Sequence, residues 1–218
     1  MRSISTAPFT DIIELAHRIV DEPDTRPAEL RRLRDAEHPT TLYYRFLHRL
    51  CETYAPLDIL EIGTYCGTSA AHMAAADARN RVTTVDIQPD AKIQADSIGL
   101  PNLTAITADS SKVLAQLGAQ TFDLIYVDGW HDFNQTYGEY VLFRPSLRDG
   151  GLMIFDDVGL EMAGDQMNVF WSFVVDLKTR ADHLHPNTGF GICRKQPEVT
   201  PPPWSQVINK AQAMMSTR

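Results

Sequence analysis

Glu61-Ile62-Gly63-Thr64-Tyr65-Cys66-Gly67-Thr68-Ser69 joins a short apolar run, Asp58 to Ile62, directly to an alanine-rich stretch, Ala70 to Ala76. A brief apolar run that breaks at glycine reads as a buried strand, and alanine favours helix. The two glycines allow a tight turn and close backbone approach, while the start of the following helix offers unpaired amides to an anion. The spacing is G-x-x-x-G, with Tyr65 where a dinucleotide fingerprint, G-x-G-x-x-G, has its middle glycine. Tyr65 would keep a pyrophosphate off the backbone, which argues against a nicotinamide-dependent dehydrogenase. A single carboxylate is smaller and demands less.

The alternation continues outward. Val82 to Asp86, Thr104 to Thr107, Asp123 to Val127 and Gly151 to Phe155 are further apolar runs, each separated from the next by enough chain for a helix. That is the βαβ rhythm of a parallel sheet buried on both faces, with right-handed crossovers placing helices on both sides. The chain therefore reads as α/β, with a doubly wound, mostly parallel, Rossmann-like sheet. A glycine-containing loop through Gly164, a helix from Gln166 to Lys178 and a final strand from Phe190 to Arg194 complete it. Ahead of the first strand, Ile12, Ile13, Leu15, Ala16, Ile19 and Val20, then Leu42, Phe46, Leu47 and Leu50, recur at helical spacing and predict an amino-terminal helical extension. The charged, proline-broken connection between them carries one short helix around Ala28 to Arg34. The expected organisation is a helical cap over 1–56, a ligand-binding domain over 57–196 and a partly disordered tail over 197–218.

A chain of 218 residues suits one domain with a substantial core and is too short for two catalytic ones. The net charge of -8 disfavours polyanionic partners, so neither nucleic acid nor an anionic membrane is expected. Cys51, Cys66 and Cys193 form no CxxC pair, which suggests neither a disulfide framework nor a zinc ribbon and fits a reducing cytoplasm. Asp11, Glu14, Asp21 and Glu22 around the first apolar stretch are unlike a signal peptide. No apolar run approaches the ~20 residues that span a bilayer.

Ligands of open parallel sheets bind beyond the carboxyl ends of the strands. There, Glu61, Gly63 and Gly67 resemble the first motif of the class I S-adenosylmethionine-dependent methyltransferases: an acidic residue, a glycine, three variable residues and a second glycine after the first strand. The resemblance implies that Glu61, Gly63, Tyr65, Gly67, Thr68 and Ser69 surround the methionine end of S-adenosylmethionine. It places Asp86, with Ile87 beside it, at the ribose hydroxyls, where an acceptor-only side chain suits a diol. It places Asp109 and Ser110 at the adenine amino group, and Asp128 beside the reactive end of the cofactor.

Asp128 ends the fourth run, in Val127-Asp128-Gly129-Trp130-His131, and Asp156-Asp157 end the fifth. Three carboxylates on adjacent strand ends repel one another unless compensated. A hard divalent cation such as magnesium relieves this and can also hold a substrate hydroxyl. This part resembles the metal-dependent O-methyltransferases related to catechol and macrocin O-methyltransferases, in which an acid after strand four and two polar residues after strand five hold magnesium. The resemblance implies Asp128, Asp156 and Asp157 as metal ligands. It implies His131 as the base, in the Asp-Gly-x-His pattern of the sugar-modifying branch, where the catechol branch has lysine. A histidine takes a hydroxyl proton near neutral pH. Two positions depart from the pattern: Asp157 replaces an asparagine, and Asp149 stands where proline is usual.

The same residues also have plainer roles. Asp109, Asp128, Asp156 and Asp157 could cap turns and helices, and His131 could be a surface residue. Among Trp130, Phe133, Tyr137 and Tyr140, core packing outweighs a pocket role. His183 and His185 alternate onto one strand face without a third ligand and read as structural, and Cys66 reads as packing. The expectation is a magnesium-assisted O-methyltransferase acting on a small hydroxylated acceptor of sugar or natural-product type, covered by the amino-terminal helices. Family members often form homodimers through such helices. An S-adenosylmethionine-binding protein without methyl transfer is the alternative. DNA methylation is disfavoured, because Asp156-Asp157-Val158-Gly159 lacks a Pro-Pro-aromatic motif.

Overall fold

The computed structural model describes residues 3–33, 42–160 and 165–216. Its strands are β1 (Asp58–Ile62), β2 (Arg81–Asp86), β3 (Leu103–Thr107), β4 (Phe122–Val127), β5 (Leu147–Asp156), β6 (Leu177–Arg180) and β7 (Phe190–Arg194). They form one sheet in the order β3-β2-β1-β4-β5-β7-β6. The first five pair in parallel, and β7 runs antiparallel to both β5 and β6. The expected α/β, doubly wound sheet is therefore the observed one. Winding reverses between β1 and β4, so the crevice for a ligand opens above their carboxyl ends.

Alternation along the strands divides the core in two. Ile59, Tyr126, Ile154 and Ile192 join one cluster with Leu15 of α1 (Phe9–Arg18), Phe46 and Leu50 of α3 (Leu42–Tyr54) and Met73 of α4 (Thr68–Ala75). Leu60, Ile125, Met153 and Phe155 join the other, with Phe133 and Tyr137 of α7 (Phe133–Phe143) and Phe170 of α8 (Gln166–Phe173). Both faces of the sheet are thus dry, as the near-continuous apolar strands require. The remaining helices are α2 (Ala28–Arg31), α5 (Pro89–Ser97), α6 (Ser110–Leu117) and α9 (Trp204–Ser216).

Four expectations give way. The helix predicted over 166–178 ends at Phe173, and the chain then turns into β6. A tertiary anchor overrides the helical pattern there: Asp176, buried, receives two 2.7 Å bonds from Arg144, one of 2.8 Å from the Tyr140 hydroxyl and one of 2.8 Å from the Gln196 amide. Removing one partner of such a buried pair typically costs about 3–5 kcal/mol. His183 and His185 lie in and just after a short 3-10 turn, Asp182–Leu184, instead of on a strand. The tail carries α9, whose Val207 and Ala211 are buried in the second cluster, and the Tyr137 hydroxyl donates to the Pro202 carbonyl at 2.6 Å. The short helix expected to reach Arg34 stops at Arg31; Arg34 and the loop positions 161–164 fall outside the described residues.

Candidate active site

Gly63 and Gly67 are both left-handed, with φ of 97° and 77°. A Cβ on Gly63 would stand 1.9 Å from the Asp128 carbonyl oxygen, so only glycine lets the loop after β1 pass against the end of β4. Gly67 starts α4 in a conformation costly for other residues. The loop between them is held from β2. Asp86 Oδ2 accepts the Thr64 and Tyr65 amides, each at 2.9 Å, and Oδ1 accepts the Gln88 amide at 2.8 Å.

Beneath the loop, Glu61 is fully buried and accepts from Ser69 Oγ and Thr84 Oγ1, each at 2.5 Å. Burial, opposed by those two hydroxyls, pushes its carboxyl up to about 8. Glu61, Gly67, Thr68 and Ser69 stand behind the loop and brace it. Gly63, Tyr65, Asp86, Ile87, Asp109, Ser110 and Asp128 line the cleft in front of it. Asp109 also caps α6, accepting from the Ser111 amide at 2.8 Å and from its hydroxyl at 2.6 Å. Cys66 Sγ contacts Thr68 Oγ1 at 3.2 Å, a local packing contact.

The cleft holds about 1290 Å³. That exceeds the roughly 300–1,000 Å³ of an ordinary small-molecule site, so a cofactor and a second molecule fit together. At its β4–β5 end the carboxylates gather. His131 Nε2 lies 3.1 Å from Asp157 Oδ2 and 3.6 Å from Asp128 Oδ1. His185 Nδ1 lies 3.0 Å from Asp156 Oδ1 and 3.5 Å from Asp157 Oδ1. The Tyr126 hydroxyl donates to Asp128 Oδ2 at 3.2 Å. Asp157 is itself left-handed, with φ of 57°, a strained backbone for aspartate.

The electrostatics follow from this crowding. Burial and the nearby Asp128 charge raise the Asp156 carboxyl to about 7, against the opposing His185 contact. Burial disfavours the charged form of His131, but contact with Asp128 and the charges of Asp157 and Asp156 outweigh it, so its pKa rises. His185 behaves likewise, with Asp156 as its main partner.

The sequence placed Asp128, His131, Asp156 and Asp157 at strand ends, and they do meet. It missed three contributors. His185 completes a metal-type group with Asp156 and Asp157; the signal was that a final strand antiparallel to β5 must begin where β5 ends, and Phe190 indeed pairs with Asp156. Tyr43 and Tyr44 of α3 line the same cleft, the Tyr43 ring tilted by 44° at 4.8 Å from His185 and Tyr44 stacked 5.2 Å from His72. Trp130 lies at the cleft and is 70% exposed, whereas Phe133, Tyr137 and Tyr140 are core. His183 is structural, stacking on His17 and bonding the Ala16 carbonyl at 2.9 Å.

A parallel sheet that reverses between β1 and β4 and closes with an antiparallel seventh strand, beneath a glycine loop braced by Glu61 and Asp86, defines the class I S-adenosylmethionine-dependent methyltransferase fold. Residues 60–158 match the family model described as "Methyltransferase domain". Catechol O-methyltransferase B of Danio rerio is 26% identical over 113 residues, 47% of this chain and 43% of that protein. The match thus spans less than half of that curated relative's length. A SAH-bound methyltransferase of Podospora anserina superposes with a TM-score of 0.65 at 18% identity, covering 90% of this chain and 100% of the other. An O-methyltransferase of Bacillus cereus in complex with SAH gives 0.60 at 16% identity, covering 90% and 92%. At these identities the likeness establishes the fold. No helix among the described residues is long and apolar enough to cross a membrane.

Proposed function

We propose that the protein transfers the methyl group of S-adenosylmethionine to a hydroxyl of a small molecule, with help from a divalent cation such as magnesium. The observation that carries this reading is the convergence of Asp128, Asp156, Asp157, His131 and His185 in the same cleft as the glycine loop. The cation is tested by the donor chemistry. Asp157 Oδ1 is buried without a hydrogen-bond partner among the described residues, and mutually repelling carboxylate oxygens beside an imidazole suit a hard or borderline ion. Asp156, Asp157 and His185, with Asp128 alongside, would hold it. When bound, the cation polarises the acceptor hydroxyl and offsets the carboxylate charge.

The chain's own residues do the rest. Asp86 fixes the loop that faces the cofactor. His131 takes the hydroxyl proton as the oxygen attacks the sulfonium methyl in line, and Asp128 and Asp157, both beside its Nε2, stabilise the imidazolium that forms. Tyr43 and Tyr44 wall the acceptor side and exclude water. Most of the acceleration is positioning. Calorimetric titration of metal-stripped protein with S-adenosylhomocysteine, with and without magnesium and with NAD as control, tests the cofactor. Micromolar binding of the first and none of NAD is expected, after which hydroxylated acceptors of sugar and natural-product type are screened for methylation. Binding of neither would remove the reading.

A further inference from the structure

Glu139 lies on α7, in a helix that the resemblance gave no part in the site. It is 3% exposed yet is among the residues lining the cleft, beside Ser110. Its Oε1 is well served: Ser110 Oγ donates at 2.7 Å and Gln135 Nε2 at 3.0 Å. Its Oε2 is buried and has no hydrogen-bond partner among the described residues. A buried carboxylate oxygen left unpaired is costly, so such an atom calls for a donor that the chain does not supply.

The surroundings say what that donor is. Ala108, Asp109 and Ser110, at the end of β3, line the wall next to Glu139. Leu142, one turn on along α7, adds apolar surface, and Gly138 leaves its own stretch of helix without a side chain. Gly129 stands across from Glu139. A Cβ there would lie 3.8 Å from Oε2 and 3.9 Å from Oε1, so the glycine keeps a side chain from standing against the carboxylate. A carboxylate oxygen left without a donor beside the apolar Ala108 and Leu142 suits a flat heterocycle carrying an amino group. Asp109, the acid that resemblance would assign to this task, has Oδ1 committed to capping α6.

Resting on the proposed cofactor, we infer that Glu139 Oε2 accepts the exocyclic amino hydrogen of the adenine and thereby selects an aminopurine over an oxopurine. Ser110 and Gln135 are positioning residues that hold the carboxylate in place. Burial, opposed by those two donors, raises the Glu139 carboxyl above its ordinary value, as expected for an acceptor awaiting its donor.

The test is the affinity of wild type, Glu139→Gln and Gly129→Ala for S-adenosylhomocysteine and for its inosine counterpart, which has an oxygen in place of the amino group. Wild type should prefer the adenosine compound by about tenfold or more, the range of one hydrogen bond to a charged group. Glu139→Gln, which can turn its amide donor toward the oxygen, should lose most of that preference. Gly129→Ala meets only ordinary contact distances and should fold normally while masking the carboxylate, which weakens the adenosine compound more than the inosine one. If both variants weaken the two compounds equally, or not at all, Glu139 is merely structural and the assignment is overturned. If wild type binds neither compound, the proposed cofactor falls, and this assignment with it.

Discussion

The two ends of the cleft are built on opposite plans. At the β1–β3 end three acids are satisfied by the protein itself: Asp86 by three backbone amides, Glu61 by two hydroxyls, Asp109 by the cap of α6. At the β4–β5 end Asp128, Asp156 and Asp157 face one another across two histidines, and Asp157 Oδ1 has no hydrogen bond among the described residues. The first end is a finished cradle that asks only for a ligand of the right shape. The second is a charge arrangement awaiting a counter-charge and a proton. This is the difference between binding and chemistry: a preorganised site costs little to occupy, whereas reactive groups are kept away from their own most stable pairing.

The sharpest way to break the comparison is to remove chemistry while leaving the cradle. His131→Ala should lower methyl transfer by about 10²–10⁴-fold, the usual worth of a positioned base, and Asp128→Asn by a comparable factor. S-adenosylhomocysteine affinity of His131→Ala should stay within about threefold. Turnover on an identified acceptor, set against calorimetric affinity, reads both. Parallel loss of affinity and turnover would mean that the two ends do not divide the work. The converse change is Gly63→Ala. Its Cβ cannot share space with the Asp128 carbonyl at a φ of 97°, and a destabilisation of about 3 kcal/mol is expected, read as a shift of the urea midpoint. A midpoint within error of wild type would show that the loop relaxes freely.

The two plans also explain what could be read beforehand. The cradle is local in sequence, since each acid closes a strand and its partners lie within the next turn or on the neighbouring parallel strand. All five parallel strands were legible for the same reason. The reactive end is assembled from distant parts. His185 reaches Asp156 only because β7 is antiparallel to β5, and that direction depends on β6, whose four residues, Leu177–Arg180, continue a helical-looking pattern. Tyr43 and Tyr44 enter through the packing of α3 on α4, which no motif announces. Glu139 was invisible because its spacing along α7 is that of any half-buried helix face.

If the reactive end lacks a counter-charge, supplying one should stabilise it. Magnesium at about a hundred times its dissociation constant should add roughly 2.7 kcal/mol to folding stability through mass action. The melting temperature of metal-stripped protein, with and without the ion, measures this. Asp157→Asn should abolish most of the increment, and Asp86→Asn should leave it intact. An increment of equal size in both variants would place the ion elsewhere.

The smallest effect concerns Glu61, and it separates the two ends by charge. Burial holds its carboxyl at about 8, well above the ordinary 4.5. Below pH 4.5 the folded and unfolded chains both keep the proton, and the contribution to stability is fully present. As pH rises toward 8 the unfolded chain gives the proton up while the folded chain retains it, so stability falls; above 8 the contribution is lost. Between pH 6 and 8 wild type should therefore lose on the order of 1–2 kcal/mol more than Glu61→Gln, which has no proton to lose. Urea midpoints of both proteins at the two pH values decide it. A steeper wild-type slope means that the cradle is neutral beneath its loop and that the unbalanced negative charge of the cleft sits at the reactive end. Equal slopes would mean that Glu61 is ionised, and the two ends would then differ in geometry alone.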